Sequence, residues 1–370
     1  MTVPIGTRTF SYDALPGRIE FGVGALSRLP DEVDRLGATK VLVITDPSTK
    51  AIADRAIELL GDRVAGVFTD IELHVPIEGV ERGRTAALEL EADCLVTIGG
   101  GSTTGYGKAI CLDVDAPLVA VPTTYAGSEM TPIYGITSEA LKQTGRDLRV
   151  LPKAVVYDPS LTVSLPASAT GPSGMNAIAH CVEALYAENA NPTSSLLAEE
   201  GIRALATGIP GSIRDPEDLV ARSEALYGAY LAGAALAVVG MAVHHRICHV
   251  LGGTFGLGHG DVNAVILPHA VRFNQAAAPE ALARAARALG ATDAATALFD
   301  LGVSIGAPTS LAQLGMHEAD LDEVARLVVD PPSYNPRPVD VRSVRALLED
   351  AYHGRRPEPS ASFATASVDP

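Results

Sequence analysis

Between residues 40 and 124 the chain repeats one pattern: a short run with an uncharged, β-branched interior, then a stretch with helical spacing. The runs are Lys40–Asp46 (KVLVITD), 64–69, 94–100 (CLVTIGG) and 117–124 (PLVAVPTT). Between them, 48–61, 78–91 and 102–112 read as helices. A strand without polar alternation is buried on both faces, and strands separated by helices pair in parallel. This predicts a doubly wound α/β domain, assigned to residues 1–162, whose ligands bind beyond the carboxyl ends of the strands.

After Asp158-Pro159 the pattern changes. The stretches 170–189, 193–205, 215–239 and 240–251 are Ala/Leu-rich at helical spacing, and no strand is expected beyond them. The second half, 163–356, therefore reads as an all-helical substrate domain, with the active site in the cleft between the two. The Pro/Ser/Ala-rich end, 357–370, reads as a disordered tail. At 370 residues the chain exceeds what one hydrophobic core usually supports.

Several functions are disfavoured by composition. With 28 basic against 44 acidic residues the net charge is −16, a field that repels nucleic acid. An anionic substrate would need a locally cationic pocket. The uncharged stretch 225–243 approaches the length of a membrane span, but it is mostly Ala and Gly and runs into His244-His245-Arg246, so a buried helix is expected. Cys94, Cys111, Cys181 and Cys248 form no C-x-x-C pair and read as reduced, buried thiols. The first residues lack a basic stretch followed by an apolar one, so no export signal and a cytoplasmic setting are expected.

Two sets of residues carry chemistry. Gly99, Gly100, Gly101, Ser102 and Thr103 join a strand to a helix. Glycine lets backbone approach a phosphate, and the helix N-terminus favours its charge. Ser102 or Thr103 could cap that helix. Asp46, ending the first strand, can accept from a ribose diol and would repel the extra phosphate of NADPH. That predicts NADH, with NADPH as the second choice. The loop after the fourth strand, containing Thr123, Thr124 and Ser128, suits further contacts to a dinucleotide.

The second set is histidine-rich. Asn176 and His180 are four apart, as are His245 and His249, so each pair shares a helix face. His259 follows a Gly-rich link. Imidazoles with a carboxylate are an ordinary transition-metal set. Here His180, His245 and His259 outline such a set with position 176, but that position is Asn, so the outline is expected to hold no metal.

Together these elements resemble the iron-containing alcohol dehydrogenase family over about residues 10 to 355. The resemblance rests on GGGST at 99–103, VPTTYAGSE at 121–129, GMNAIAHCVEALY at 174–186 and the segment from Gly240 to His269. The family's metal ligands, Asp and three His, fall on Asn176, His180, His245 and His259. His249 matches a histidine near the nicotinamide, Asp46 the ribose-binding acid, and Lys153 a position close to the cofactor.

The maleylacetate reductase branch of the family fits better than its alcohol dehydrogenases. The resemblance lies in Tyr125–Thr137, His244–Phe255, NPRP at 335–338 and GRRP at 354–357. The chain departs at Leu257-Gly258-His259-Gly260, where the branch often has LPHA. The resemblance implies NADH-dependent reduction of the enone C=C of maleylacetate, a small dicarboxylate, by a homodimer. His180, His245, His249 and His259 would supply donors and protons. Asn176, Tyr125, His244 and Arg246, with Lys108, would hold substrate. The rival readings are a metal-dependent alcohol dehydrogenase, a lyase of the dehydroquinate synthase type, and a repurposed biosynthetic relative.

Overall fold

The structure is a computed structural model that describes residues 9–15, 17–138 and 141–359. The N-terminal half is built on a six-stranded, all-parallel sheet. Its strands are β1 (Arg18–Phe21), β2 (Val41–Thr45), β3 (Val64–Phe68), β4 (Cys94–Gly99), β5 (Leu118–Pro122) and β8 (Ala154–Tyr157), in the order β1-β8-β5-β4-β2-β3. The central strands β2, β4 and β5 are buried along their whole length. Alternation then sends successive side chains to opposite faces. Val41 and Val43 pack with Val96 and Ile98 on one face, and Leu42 and Ile44 with Leu95 on the other. Helices α1 (Leu29–Arg35) and α2 (Lys50–Leu60) cover the first face. Helices α3 (Ile77–Glu89) and α4 (Gly101–Ile110) cover the second. Each such fully buried aliphatic side chain contributes about 1.5–3 kcal/mol relative to exposure.

Four elements lie outside the sequence reading: β1, α1, β8 and an antiparallel hairpin of β6 (Ile133–Ser138) and β7 (Leu141–Arg146). β1 and β8 have four residues each, too few to declare a period, and β1 is a half-exposed edge. The tail expected over 357–370 lies, from 360 onward, outside the described residues.

Beyond β8 the described chain is helical: α5 (Ala167–Tyr186), α6 (Pro192–Arg214), α7 (Leu219–Leu236), α8 (Val243–Phe255), α9 (His259–Asn274), α10 (Pro279–Ala288), α11 (Ala294–Ser304), α12 (Leu321–Val329) and α13 (Val341–His353). The uncharged stretch 225–243 is explained by packing. A Cβ on Gly208 would lie 2.3 Å from the Ala225 nitrogen, and one on Gly228 2.6 Å from Leu205 Cγ. Small residues let α6 and α7 approach backbone to backbone. Among the described residues, no helix is long and apolar enough to cross a membrane.

The switch in strand order falls between β2 and β4, where the chain leaves β2 for β3 and returns across it. In such sheets the crevice at the carboxyl ends of those two strands is where a dinucleotide binds. Those ends are Asp46 and Gly99.

Candidate active site

The β4–α4 turn shows why the glycines are there. Gly99 has φ +156°, and a Cβ on it would sit 2.4 Å from Thr103 Oγ1 and 3.1 Å from Asp46 Oδ2. A Cβ on Gly100 would meet Thr124 Cγ2 at 3.1 Å, and one on Gly101 would meet Ala126 Cβ at 3.3 Å. The turn is thus wedged between Asp46 and the loop after β5. Helix α4 starts with no side-chain cap. This corrects the capping role expected of Ser102 or Thr103: Thr103 Oγ1 instead donates to Asp46 Oδ2 at 3.1 Å. The first-turn N–H groups are left for an anion. Asp46 Oδ1 accepts from the Ser48 backbone at 2.8 Å and from its hydroxyl, so the carboxylate is fixed in place.

The loop after β5 is anchored from below. Thr123 N donates to Gly99 O at 3.0 Å. Lys108, fully buried, donates to Ser128 O and Oγ, Thr131 Oγ1 and Ile133 O. Burial pushes its ammonium down to about 7, while the nearby Glu129 favours the charged form. Glu129 is itself buried and accepts from Tyr157 Oη at 2.9 Å. Lys108 is therefore a strut of this loop and no substrate ligand.

Gly127 joins this loop to the helical half. At φ +78° its Cβ position lies 3.2 Å from Gly233 Cα on α7 and 3.5 Å from His180 Nδ1 on α5. The cofactor loop and the histidine cluster are in contact there.

The cluster is a ladder of rings. His180 and His245 stack with centroids 4.7 Å apart and planes 16° apart. His245 and His249 are 6.3 Å apart, as are His249 and His259. The ladder runs from buried His180 and His245 to exposed His249 and His259. Asn176, one turn before His180, is also buried. Three buried polar atoms here have no hydrogen-bond partner among the described residues: Asn176 Oδ1, His180 Nδ1 and His245 Nε2. Unpaired buried polar atoms are costly, and their convergence marks a place for a ligand. Burial holds His180 and His245 well below the usual imidazole range, and the neighbouring rings add to this. Burial likewise takes His244 down to about 3. Before a ligand enters, these are neutral imidazoles.

The sequence missed Glu183, which lies in the quoted GMNAIAHCVEALY segment seven residues after Asn176. Its carboxylate is fully buried, lies 2.8 Å from His245 Nδ1, and accepts from Ala242 N at 2.9 Å and His244 N at 2.9 Å. The i, i+7 spacing on α5 was the available signal. Glu183, His244 and His245 also form the one buried group of three potential metal-binding side chains among the described residues. Its carboxylate oxygens, however, are engaged with N–H groups. Toward a divalent ion beside His180 and His245, position 176 offers an amide oxygen, a weaker donor than the family's carboxylate. The donor set does not fit the family's metal.

Four expected site residues are placed elsewhere. The Arg246 guanidinium is spent on the carbonyls of Leu327, Val328 and Asp330 at the end of α12, where it satisfies the helix's free acceptors. His244 points into the α5–α8–α9 junction, with Nε2 3.2 Å from Asn263 O. Tyr125 is fully buried, its hydroxyl 3.2 Å from Arg222 Nη1. Lys153 precedes β8, at the amino end of the sheet, opposite the cofactor crevice.

Comparison with known proteins agrees with this geometry. The iron-containing alcohol dehydrogenase family matches residues 16–159, and the C-terminal part of the Fe-containing alcohol dehydrogenase family matches 170–352. The chain belongs to the iron-containing alcohol dehydrogenase family, and is a dinucleotide-dependent oxidoreductase. Among its relatives is the maleylacetate reductase of Burkholderia cepacia, 51% identical over 94% of this chain and 99% of that one. The crystal structure of maleylacetate reductase from Agrobacterium tumefaciens superposes with a TM-score of 0.92 at 44% identity, covering 95% of this chain and 100% of that one. The enzyme from Rhizobium sp. strain MTP-10005 gives 0.91 at 45%, with the same coverages. Within the family the chain falls in the maleylacetate reductase branch.

Proposed function

We propose that the chain reduces the carbon–carbon double bond of maleylacetate with NADH and without a metal. The observation that carries this is the contact at Gly127, which sets a dinucleotide crevice against a ladder of neutral imidazoles whose metal-binding outline has an amide at position 176. The identity to maleylacetate reductases supports the substrate.

Bound NADH would supply a hydride to the alkene carbon β to the ketone. The alkene electron pair moves through the carbonyl carbon onto the ketone oxygen, and the α carbon then takes a proton. Fixed N–H donors in a dry cleft stabilise such an enolate, and an imidazole suits the proton transfer. His180, His245, His249 and His259 share these roles. Asp46 sets the preference for NADH. The reading includes a homodimer and a cytoplasmic setting, which suits the four buried free thiols.

The test is NADH oxidation on adding maleylacetate, scored against simple aldehydes, with elemental analysis before and after chelation. Rapid turnover of maleylacetate alone, unchanged by the chelator, is expected. Preference for aldehydes, or stoichiometric iron or zinc lost together with activity, would overturn it.

A further inference from the structure

Glu183 touches no part of the cleft, yet the hydrogen bonds around it determine what the cleft contains. The chain of constraint starts at the backbone of α9. Asn263 O can only accept, so His244 Nε2, 3.2 Å away, carries a hydrogen. His244 is fully buried, and with Nε2 already donating, its other nitrogen, Nδ1, faces His245. His245 Nδ1 faces His244 Nδ1 at 3.3 Å and Glu183 Oε2 at 2.8 Å, and both oxygens of that carboxylate already accept backbone N–H groups. His245 Nδ1 must carry a hydrogen. That leaves Nε2, across the ring, as a lone pair, and this buried nitrogen has no hydrogen-bond partner among the described residues.

The same carboxylate fixes where the ring stands. Helix α8 has no side-chain cap of its own from Ala242. Glu183 reaches over from α5 and accepts the N–H groups of Ala242 and His244, which the helix cannot pair internally. One acid thus holds the start of α8 and, within that turn, the tautomer and orientation of its first cleft-lining imidazole.

We infer that Glu183 is a positioning residue: with His244 and the Asn263 carbonyl it locks His245 in the Nδ1–H tautomer, so that Nε2 faces the cleft as an acceptor. The group seated there must bring a hydrogen, which the carboxylates and ketone of maleylacetate lack, so a water, or a hydroxyl or amide of the cofactor, is what this nitrogen accepts from. Enolate stabilisation by neutral N–H donors then falls to the other rings of the ladder. This deepens the proposed reductase reading and rests on it for the identity of the substrate, but the tautomer itself is independent of any substrate.

Two measurements test it. In wild-type protein with ¹⁵N-labelled histidine and no substrate, the His245 ring is expected to show a protonated Nδ1 and an unprotonated Nε2. The opposite tautomer, or an even mixture, would overturn the inference even if maleylacetate is turned over. In Glu183→Gln, kcat is expected to fall by about tenfold or more, with KM for NADH within about twofold of wild type, as for other groups that orient a working histidine. A variant that melts earlier but keeps wild-type kcat and an unchanged His245 ring would show a helix cap and nothing more. Should the variant not fold, the wild-type ring still decides. Wild-type protein inactive on maleylacetate would sink the substrate reading and leave the tautomer standing or falling by its own spectrum.

Discussion

Replacing Gly99 by Ala perturbs the point where three parts of the cofactor crevice meet. The new methyl would sit 2.4 Å from Thr103 Oγ1, 2.8 Å from Thr103 Cβ and 3.1 Å from Asp46 Oδ2. Contacts of that kind cost about 1–3 kcal/mol, and a φ of +156° adds strain of about 1–3 kcal/mol for a residue with a Cβ. Relief by turning Thr103 away breaks its 3.1 Å bond to Asp46, worth about 1 kcal/mol. Whichever way the turn yields, the α4 N–H groups and the Asp46 carboxylate lose their mutual register. If only a third of the total falls on the dinucleotide site, affinity drops by about tenfold, since that factor is about 1.4 kcal/mol. Gly100→Ala is the control. Its φ of −87° suits any residue, and its Cβ would meet a Thr124 methyl at 3.1 Å. NADH titration by nucleotide fluorescence, with thermal unfolding alongside, should give at least a tenfold weaker complex and a lower melting temperature for Gly99→Ala, and a smaller change in both for Gly100→Ala. Wild-type affinity and melting temperature in Gly99→Ala would refute the cradle.

Other predictions address the remaining parts. Asp46→Ala should weaken NADH and raise the relative use of NADPH, read as the ratio of kcat/KM for the two; an unchanged ratio would mean the carboxylate does not select the cofactor. Alanine at His180, His245, His249 or His259 should lower turnover by about two orders of magnitude, and wild-type-like turnover in all four variants would remove the imidazole mechanism. His269 is buried, and burial takes its imidazole down to about 4. Below pH 6.5 the unfolded chain gains a proton there that the folded chain refuses, so stability falls with pH until about pH 4, by about 1.4 kcal/mol per unit. Urea unfolding at pH 7.5 and pH 5 should therefore show His269→Gln losing less stability on acidification than wild type, by about 2 kcal/mol; equal losses would place that proton elsewhere.

What was legible in the sequence was whatever local chemistry enforces. The runs at 41–45, 94–99 and 118–122 are buried on both faces and carry that fact in every residue. The glycines at 99–101 were legible because they join a strand to a helix, and at Gly99 the close approach admits nothing else. The i, i+4 pairs Asn176–His180 and His245–His249 followed from helical period. What failed were statements about direction. Arg246 and His244 flank His245 in sequence, and a helix turns each neighbour about 100° onto another face, one toward α12 and one toward Asn263. Lys153 was misplaced because a motif beside a strand does not say which end of the sheet it occupies. Lys108 was expected to help hold substrate, but its partners come from a loop twenty to twenty-five residues away.

The same distinction explains why the i, i+7 spacing of Glu183 from Asn176 did not reveal its role. Its partners are backbone N–H groups, and every residue but proline has one, so no sequence pattern announces them. Only the approach of α8 to α5 turns an ordinary helical glutamate into a buried acceptor of three hydrogen bonds. That approach in turn places His245 against His180, and Gly127 brings the dinucleotide loop up to the same ring. The Asn at 176 gives the arrangement its chemical meaning. A carboxylate there would add charge on the open side of the imidazoles, where a cation would balance it. With an amide, the carboxyl group set against His245 is Glu183, behind the ring and 2.8 Å from Nδ1, where it acts on the tautomer, and position 176 adds no charge against a substrate that arrives with two carboxylates of its own.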